Sequence, residues 1–288
     1  MTVPPRGVLP ADRHVHSEWS WDAANGSMEQ TCAHAVAMGL PAVAFTEHVD
    51  HAGWPVSRDL LQGRDHLLPY YEDGVLTPGP LDVEGYFRSI ETCRARFPNL
   101  RIISGVELGE PHRHSSQVAA LLGDGSFDLV LGSLHGLFVD GVFAEVGQLL
   151  QEREPDDVIR EYLHEAERLI SECQSFSVLA HIDYPARYWK QFVRTGPFDP
   201  ARFEGEFRSV LGALAASDRA LEVNTRLDPF HLIVRWWREA GGQAVTFGSD
   251  AHTPTAIASG FAEAAAMVES EGFRAGRDAH DVWHRISP

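Results

Sequence analysis

The sequence Asp12-Arg13-His14-Val15-His16 places two histidines one residue apart near the beginning of the chain. In an extended strand, residues i and i+2 point to the same face, so the His14 and His16 imidazoles are expected to project side by side. Two neutral imidazoles on one face can hold a divalent metal ion. On its own, the same spacing also fits a pair of surface histidines on an edge strand. The rest of the chain favours the metal-binding interpretation.

Six further short apolar segments are predicted to be buried strands, and helices separate them along the chain. Strands that alternate with helices in this way form parallel βα units with right-handed crossovers. The sequence therefore predicts an α/β protein with seven parallel strands, the first of which contains His14 and His16. The other six predicted strands are residues 41–45, 101–106, 128–131, 176–180, 220–223 and 244–247.

Potential metal ligands follow nearly every predicted strand at its carboxyl end. An open doubly wound sheet brings together only the loops around its switch point. A closed barrel gathers the carboxyl ends of all its strands at one face, where the active sites of such proteins lie. We therefore predict a closed βα barrel that forms a single domain over residues 1–288, a length that such barrels reach. The ligand candidates at the strand ends are His14, His16, His48, Glu107, His135, His181, Asp250 and His252.

The composition restricts the classes of partner. The 288 residues include 41 acidic and 24 basic side chains, which gives a formal net charge of −17. This balance argues against nucleic-acid binding, which relies on a cationic surface, and it is compatible with several bound divalent cations. Residues 1–10 lack the apolar core of a signal peptide, and no apolar run reaches membrane-spanning length. We therefore expect a soluble cytoplasmic protein, whose free thiols are Cys32, Cys93 and Cys173.

Capping signals and loop-forming residues divide the rest of the chain. Ser27 and Gln30 have the capping-box spacing, and Gly39 suits the end of the helix that they begin. Residues 49–81 are predicted to be a loop-like insertion over the active face, and residues 186–196 a loop rich in arginine and aromatic residues. The other predicted helices are residues 82–97, 112–123, 156–173, 200–216 and 229–240, and further helices are expected to close the chain.

The candidate ligands are more numerous than one metal ion requires. Each has an ordinary alternative: a single histidine can be a hydrogen-bonded core residue, Glu107 can be half of an ion pair, and Asp250-Ala-His252 can be a turn. These alternatives do not explain why six histidines and two carboxylates all occupy strand ends. Asp22, in the loop after His16, brings the set to nine, which suits a cluster of two or three cations. Glu107 is expected to bridge two cations, because each of its oxygens can bind one.

Six motifs occur in a fixed order along residues 12–252, which is nearly the whole chain. They are Asp-x-His-x-His (12–16), Thr-Glu-His (46–48), Gly-Val-Glu-Leu-Gly (105–109), Gly-Ser-Leu-His (132–135), Ala-His-Ile-Asp (180–183) and Gly-Ser-Asp-Ala-His (248–252). This set resembles the polymerase-and-histidinol-phosphatase (PHP) superfamily, and within it the chain is most similar to the histidinol-phosphate phosphatases. Binuclear amidohydrolases fit poorly, because they usually bridge their metals with a carboxylated lysine at a strand end. Lys190, the only lysine, lies in the predicted loop 186–196.

The resemblance implies a distorted (β/α)7 TIM-like barrel with three divalent metals per chain, for which zinc, manganese and iron are all suitable. In one respect the chain departs from the common pattern. The loop after His16 reads Ser-Glu-Trp-Ser-Trp-Asp22 and lacks the Cys-x-His often found in the phosphatases. The implied ligand groups are His14, His16, Glu107 and Asp250 for the first metal, Glu107, His135 and His181 for the second, and Asp22, His48 and His252 for the third.

The same resemblance implies hydrolysis of L-histidinol phosphate to L-histidinol and phosphate by metal-activated hydroxide, as a step in histidine biosynthesis. The expected catalytic residues are Glu107, Asp250 and Arg187, with Asp250 or a water on the third metal donating a proton to the leaving alkoxide. Arg187, which the resemblance favours, or Arg226 is expected to clamp the phosphate. The remaining candidate substrate contacts are Glu18 and Glu110 for the ammonium group and Trp19, Trp21, Trp54 and Tyr188 for the imidazole.

Two other functions are alternatives at this point. One is a PHP-type phosphoesterase that acts on nucleotides or other small phosphate esters. The other is a non-catalytic barrel that serves binding or regulation. The acidic charge argues against DNA ends as substrates, and the presence of every expected ligand argues against a non-catalytic role.

Overall fold

Seven parallel strands form the wall of a closed barrel, and the remaining strands form small antiparallel additions to it. The computed structural model of the protein describes residues 9–194, 196–227 and 230–286. Residues 1–8, Thr195 in the predicted loop 186–196 and Pro229 at the predicted start of a helix lie outside the described residues. The strands are β1 (Asp12–Val15), β2 (Ala42–Val49), β3 (Trp54–Pro55), β4 (Tyr71–Glu72), β5 (Val75–Leu76), β6 (Arg101–Gly109), β7 (Leu129–Ser133), β8 (Gly136–Val139), β9 (Val142–Glu145), β10 (Val178–Leu179), β11 (Ala220–Asn224), β12 (Ala244–Gly248), β13 (Phe273–Arg274) and β14 (Trp283–Arg285).

The barrel strands follow one another in the order β1-β2-β6-β7-β10-β11-β12, and β12 pairs with β1 to close the ring. This confirms the predicted distorted (β/α)7 barrel. The closure is short, because Asp12 pairs with Phe247 while the amino-terminal half of β12 pairs with the antiparallel strand β14. The Asp12 carboxylate reinforces the closure by accepting hydrogen bonds from the backbone N–H groups of Ser249 (3.0 Å) and Ala258 (2.8 Å).

Helices surround the barrel and cover its outer face. The predicted caps of the first helix are confirmed, because the Ser27 hydroxyl accepts a hydrogen bond from the Gln30 N–H and Gly39 ends the helix at φ 74°. The helices are α1 (Met28–Met38), α2 (Val83–Arg96), α3 (Ser115–Asp124), α4 (Val146–Glu152), α5 (Pro155–Glu172), α6 (Ala186–Phe192), α7 (Glu204–Ala215), α8 (His231–Glu239) and α9 (Phe261–Ser270).

Strand alternation directs the functional side chains into the barrel. In β2, Val43 and Phe45 belong to the core between the barrel and the helices, whereas Ala42 and Ala44 belong to the cluster inside the barrel. His48 shares the inner face with Ala42 and Ala44, because side chains two residues apart point the same way. Small apolar side chains thus fill the barrel below, and the polar ones collect at its carboxyl end.

Several segments that were predicted as loops contain regular structure. The insertion 49–81 carries the three-stranded sheet β3-β5-β4, with its own apolar cluster around Leu61, Leu67 and Leu76. The predicted loop 186–196 begins with helix α6, and the hairpin β8–β9 and helix α4 lie between β7 and α5. In place of several C-terminal helices, the described residues after β12 contain one α-helix, α9, and then the strands β13 and β14. Short amphipathic elements of this kind leave little periodicity for a sequence pattern to detect.

The described residues contain no disulfide, and Cys32, Cys93 and Cys173 are buried free thiols as predicted. Of the helices in the described part of the chain, none combines the length and the apolar character needed to cross a membrane.

The buried hydroxyl of Tyr86 on α2 links two barrel strands, and its removal tests how tightly they are held. It donates a hydrogen bond to the carbonyl of Phe45 (2.8 Å) and accepts one from the N–H of Gly105 (2.7 Å). Tyr86→Phe leaves both groups without this partner, so we expect the free energy of unfolding in urea to fall by about 1–3 kcal/mol. The control Thr92→Ala removes an exposed hydroxyl from the same helix and should change it by less than about 0.5 kcal/mol. Equal stability of Tyr86→Phe and the unmodified protein would contradict this expectation.

Candidate metal centre

The nine predicted ligands lie together at the carboxyl end of the barrel. β1 carries His14 and is followed by His16, β2 carries His48, and β6 carries Glu107. The other ligands follow strands or lie in the loop after β1. Seven of the nine side chains are at most 13% exposed, and Asp22 and His252 are the two more exposed ones. The remaining members of the group are His135 after β7, His181 after β10, Asp250 and His252 after β12, and Asp22 in the loop after β1.

Glu107 lies at the centre of the group, fully buried, and faces five imidazoles. Its Oε1 is 2.6 Å from His181 Nε2 and 3.3 Å from His135 Nε2. Its Oε2 is 3.1 Å from His14 Nε2, 3.4 Å from His16 Nε2 and 3.1 Å from His48 Nδ1. Burial alone would raise the pKa of Glu107, but the neighbouring histidines outweigh it and lower the pKa well below the usual value. The two oxygens of one carboxylate therefore face two different sets of imidazoles.

Asp250 occupies the side of the group next to β1. Its Oδ1 is 3.3 Å from His16 Nε2, and ligand atoms of His14, His16 and Asp250 all lie within 4.8 Å of one another. Its other oxygen, Oδ2, is 2.6 Å from Arg187 Nη2. Asp250 has a left-handed backbone at φ 53°, a conformation that costs energy for a residue other than glycine and tends to occur at functional sites.

Asp22, His48 and His252 form the most exposed part of the group. Asp22 Oδ2 is 3.6 Å from His48 Nε2 and 3.3 Å from His252 Nε2. The Asp22 and His252 side chains are 26% and 21% exposed, whereas those of His14 and Glu107 are fully buried. This part of the group is therefore open to solvent.

The donor set fits divalent cations, as the protonation of two histidines illustrates. His14 Nδ1 donates to the Glu222 carboxylate (2.7 Å), and His16 Nδ1 donates to the Ser20 hydroxyl (3.1 Å), which itself donates to Glu47 (2.5 Å). In the neutral rings, both Nε2 atoms then carry lone pairs, and these atoms are only 3.1 Å apart. Two lone pairs at this distance repel each other unless they share a positive charge.

Two further observations agree with this fit. Glu107 Oε2 is buried and forms no hydrogen bond with the described residues, although three ring nitrogens surround it. Burial alone would lower the pKa of His14, but the carboxylates of Glu222, Glu107 and Asp250 outweigh it and raise the pKa well above the usual value. The chain alone thus attracts positive charge to the position between these carboxylates.

Sequence reasoning missed two carboxylates that orient the predicted ligands. Glu222 accepts the His14 ring N–H, and its other oxygen accepts the backbone N–H of His181 (2.8 Å). Asp50 contacts His135 Nδ1 through Oδ1 (3.1 Å). Both could have been found from strand alternation, since Asp50 lies two residues after His48 and Glu222 is a charged residue in an otherwise apolar strand.

The two candidate arginines lie beside Asp250 but differ in burial. Arg187 stacks over the Tyr184 ring, with 4.8 Å from its guanidinium carbon to the ring centre, and its side chain is 15% exposed. Arg226 is at the rim, 45% exposed, and donates to the backbone carbonyl of Asp250 (2.5 Å). Burial alone would lower the pKa of Arg187, but Asp250 outweighs it and raises the pKa further above its usual value.

Three candidate substrate contacts are engaged elsewhere. Glu110 is buried, and its Oε1 accepts backbone N–H bonds from His135 (2.6 Å) and Gly136 (3.2 Å), so it supports the loop after β7. Burial raises the pKa of Glu110 to about 7. Glu18 accepts the N–H of Met28 at the start of α1, and Trp19 packs against Gly85 on α2.

The other aromatic candidates lie nearer to the predicted ligands. Trp21 donates its indole N–H to Asp50 (2.9 Å), and its ring centre is 6.0 Å from that of Trp54. The Tyr188 hydroxyl is 3.0 Å from that of Tyr184, whose ring neighbours His135 and His181. Trp21, Trp54 and Tyr188 therefore remain available as walls of a pocket.

Comparison with known proteins agrees with the fold and the motifs. A histidinol-phosphatase of Lactococcus lactis is 27% identical over 273 residues, which cover 91% of each chain. A Thermotoga maritima protein named "Probable histidinol-phosphatase" is 27% identical over 88% of each chain. The crystal structure of the Lactococcus lactis histidinol phosphate phosphatase, complexed with zinc, L-histidinol and phosphate, superposes with a TM-score of 0.76 at 24% identity, covering 96% of this chain and 99% of that one. Residues 12–226 match the PHP domain, and the chain therefore belongs to the PHP domain family.

Proposed function

We propose that this chain is a metal-dependent phosphomonoesterase that hydrolyses L-histidinol phosphate to L-histidinol and phosphate. The observation that carries the proposal is Glu107, a fully buried carboxylate whose two oxygens face separate sets of imidazoles at the carboxyl end of the barrel. The names of the relatives, which match over about nine-tenths of their lengths, support the substrate. Both the site around Glu107 and the names of the relatives favour a phosphoric monoester hydrolase.

The chain's residues would hold three cations in three groups. Bound divalent cations lower the pKa of water to near neutrality and neutralise phosphoryl oxygens, which phosphate ester hydrolysis requires. Zinc, manganese and iron all suit a donor set of imidazoles and carboxylates. The groups are His14, His16, Glu107 and Asp250 for the first ion, Glu107, His135 and His181 for the second, and Asp22, His48 and His252 for the third.

Arg187 is the residue proposed to bind the phosphate. Its guanidinium is a planar fork that matches two phosphate oxygens, and its raised pKa keeps it charged. Its present partner is Asp250 Oδ2 at 2.6 Å, so the group already points towards the predicted ligands. Tyr184 supports the guanidinium from below and limits its movement.

Asp250 acts as a ligand and as the partner of Arg187 in this proposal. Burial alone would raise the pKa of Asp250, but Arg187 and His14 outweigh it and lower the pKa well below the usual value. A carboxyl group that stays ionised cannot donate a proton at neutral pH. This direction of the pKa argues against Asp250, and for a water on the third metal, as the donor of the proton to the leaving alkoxide, and both roles stay predictions.

The substrate is tested by comparing kcat/KM for L-histidinol phosphate, AMP and p-nitrophenyl phosphate on one metal-loaded preparation. We expect a clear preference for L-histidinol phosphate. A preference for AMP would replace the substrate by a nucleotide and leave the phosphomonoesterase assignment standing. No activity on any of the three esters would overturn the assignment itself.

The purified protein should carry more than one divalent ion per chain, because nine ligand-type side chains meet at one face of the barrel. Elemental analysis after dialysis measures the content, and treatment with a chelator should abolish phosphatase activity. Restoring the metal should restore activity. At most one tightly bound ion under every loading condition would contradict the three-ion arrangement.

Glu107→Ala should lower activity by several orders of magnitude, since it removes the anion between two sets of imidazoles and thus a ligand from two ions at once. The metal content should fall with it, while circular dichroism shows a folded barrel. Glu165→Ala is a matched control, because Glu165 is also a buried carboxylate, but its partners His112, Arg113 and Arg168 are not among the predicted ligands. Near-normal turnover in Glu107→Ala would show that the bridge lies elsewhere.

Arg187→Ala should reduce kcat/KM for L-histidinol phosphate by roughly ten- to a hundred-fold, the effect of losing about 1.5–3 kcal/mol of charge-assisted hydrogen bonding. The metal content should stay unchanged. Arg226→Ala removes the second candidate and should have a smaller effect, because Arg226 is half exposed. The reverse order of the two effects would assign the phosphate contact to Arg226.

A further inference from the structure

Asp50 is a buried carboxylate that the proposed reaction does not use. It comes directly after β2, and its side chain is 9% exposed. Its Oδ1 accepts the ring N–H of His135 (3.1 Å), and its Oδ2 accepts the indole N–H of Trp21 (2.9 Å). The two oxygens therefore hold two groups that approach from different loops.

The contact with His135 fixes the orientation of a proposed ligand. A carboxylate only accepts hydrogen bonds, so the proton of neutral His135 lies on Nδ1. This leaves the lone pair on Nε2, which faces Glu107 Oε1 at 3.3 Å. Carboxylates that hold the remote nitrogen of a ligating histidine raise its basicity and fix its ring.

The contact with Trp21 fixes a second proposed ligand. Trp21 immediately precedes Asp22, so the hydrogen bond to Asp50 anchors the loop that carries Asp22. The Trp21 ring also packs against Trp54 and Tyr70, with ring centres 6.0 and 5.9 Å away. These two residues pack against the apolar cluster of the insertion, so the insertion contacts the ring whose N–H is bound to Asp50.

The fold makes room for this carboxylate. Gly109, at the end of β6, lies so close that a Cβ atom there would overlap Asp50 Oδ1. A larger residue at this position would displace Asp50 from His135. The end of β2 and the glycine at the end of the neighbouring strand β6 together fix the position of Asp50.

We propose that Asp50 is a positioning residue that holds His135 and the Asp22 loop together, and so couples the proposed second and third metal positions. The proposal rests on the proposed function, because it assigns Asp50 a role towards the metals of that site. The proposal also links the insertion 49–81 to these two metal positions, because the Trp21 ring packs against Trp54 and Tyr70 of the insertion.

Zinc binding to four proteins tests the coupling: the unmodified chain, Asp50→Asn, Trp21→Phe and the double variant. Zn²⁺ affinities are measured by competition with a chelating dye, and circular dichroism checks the fold. In Asp50→Asn, the amide oxygen on His135 is uncharged and a weaker acceptor than the carboxylate, and the amide NH2 that faces Trp21 cannot accept its N–H. Both contacts are therefore impaired, and two of the zinc equivalents should weaken by about 10- to 100-fold. Trp21→Phe keeps an aromatic side chain but loses the indole N–H, and should weaken one equivalent. In the double variant, Trp21→Phe should add nothing to Asp50→Asn.

Tyr70→Phe is the control, since it retains the ring beside Trp21 and leaves the Asp50 contacts untouched, and its zinc affinities should equal those of the unmodified chain. Unchanged zinc affinity in Asp50→Asn, additive effects in the double variant or an equal loss in Tyr70→Phe would each overturn the coupling. Should Asp50→Asn fail to fold, Trp21→Phe decides alone, because unchanged zinc affinity in that variant overturns the proposal. An unmodified chain that takes up at most one zinc ion would instead overturn the proposed function.

Discussion

The structure depends on the burial of one negative charge, the Glu107 carboxylate, among five imidazoles. A buried charge is costly unless other charges and hydrogen bonds compensate it. The surrounding histidines can do so only by holding protons or cations. The remote nitrogens of His14 and His135 contact further carboxylates, Glu222 and Asp50. Buried carboxylates thus surround the lone pairs of several imidazoles, and this arrangement is the physical reason for expecting metal ions here.

The barrel allows so many polar groups to be buried together without disrupting the rest of the fold. Its seven strands supply a rigid frame, and eight of the nine predicted ligands lie at or just after a strand end, where the backbone is already hydrogen-bonded. Apolar residues such as Ala42 and Ala44 fill the barrel underneath and keep water out from below. The energetic cost of the polar group is thus confined to one layer, and the remaining layers of the barrel and helices pack as an ordinary core.

Much of this site could be predicted, because histidines and carboxylates at the ends of predicted strands can be recognised from residue type and position alone. The orienting carboxylates were harder, since strand alternation marks Asp50 and Glu222 only as candidates and their contacts with His135 and His14 form when distant parts of the chain meet. Glu110 shows a second role that residue type does not reveal: its charge predicts a substrate contact, and in the structure one of its oxygens accepts backbone N–H groups of the loop after β7. Helix α6, the β8–β9 hairpin and the strands of the insertion are short, and tertiary packing fixes their conformation more than local sequence does.

The closure of the barrel has a consequence for the order in which the protein becomes functional. Asp12 bonds to Ala258, 246 residues further along the chain, and the first and last barrel strands each bring ligands to the same group. During synthesis, His14 and His16 leave the ribosome long before Asp250 exists. Contacts between such distant segments form late in folding. The complete set of predicted ligands therefore comes together only after nearly all of the chain has been made, so the proposed metals would bind to a finished barrel and not to a growing one.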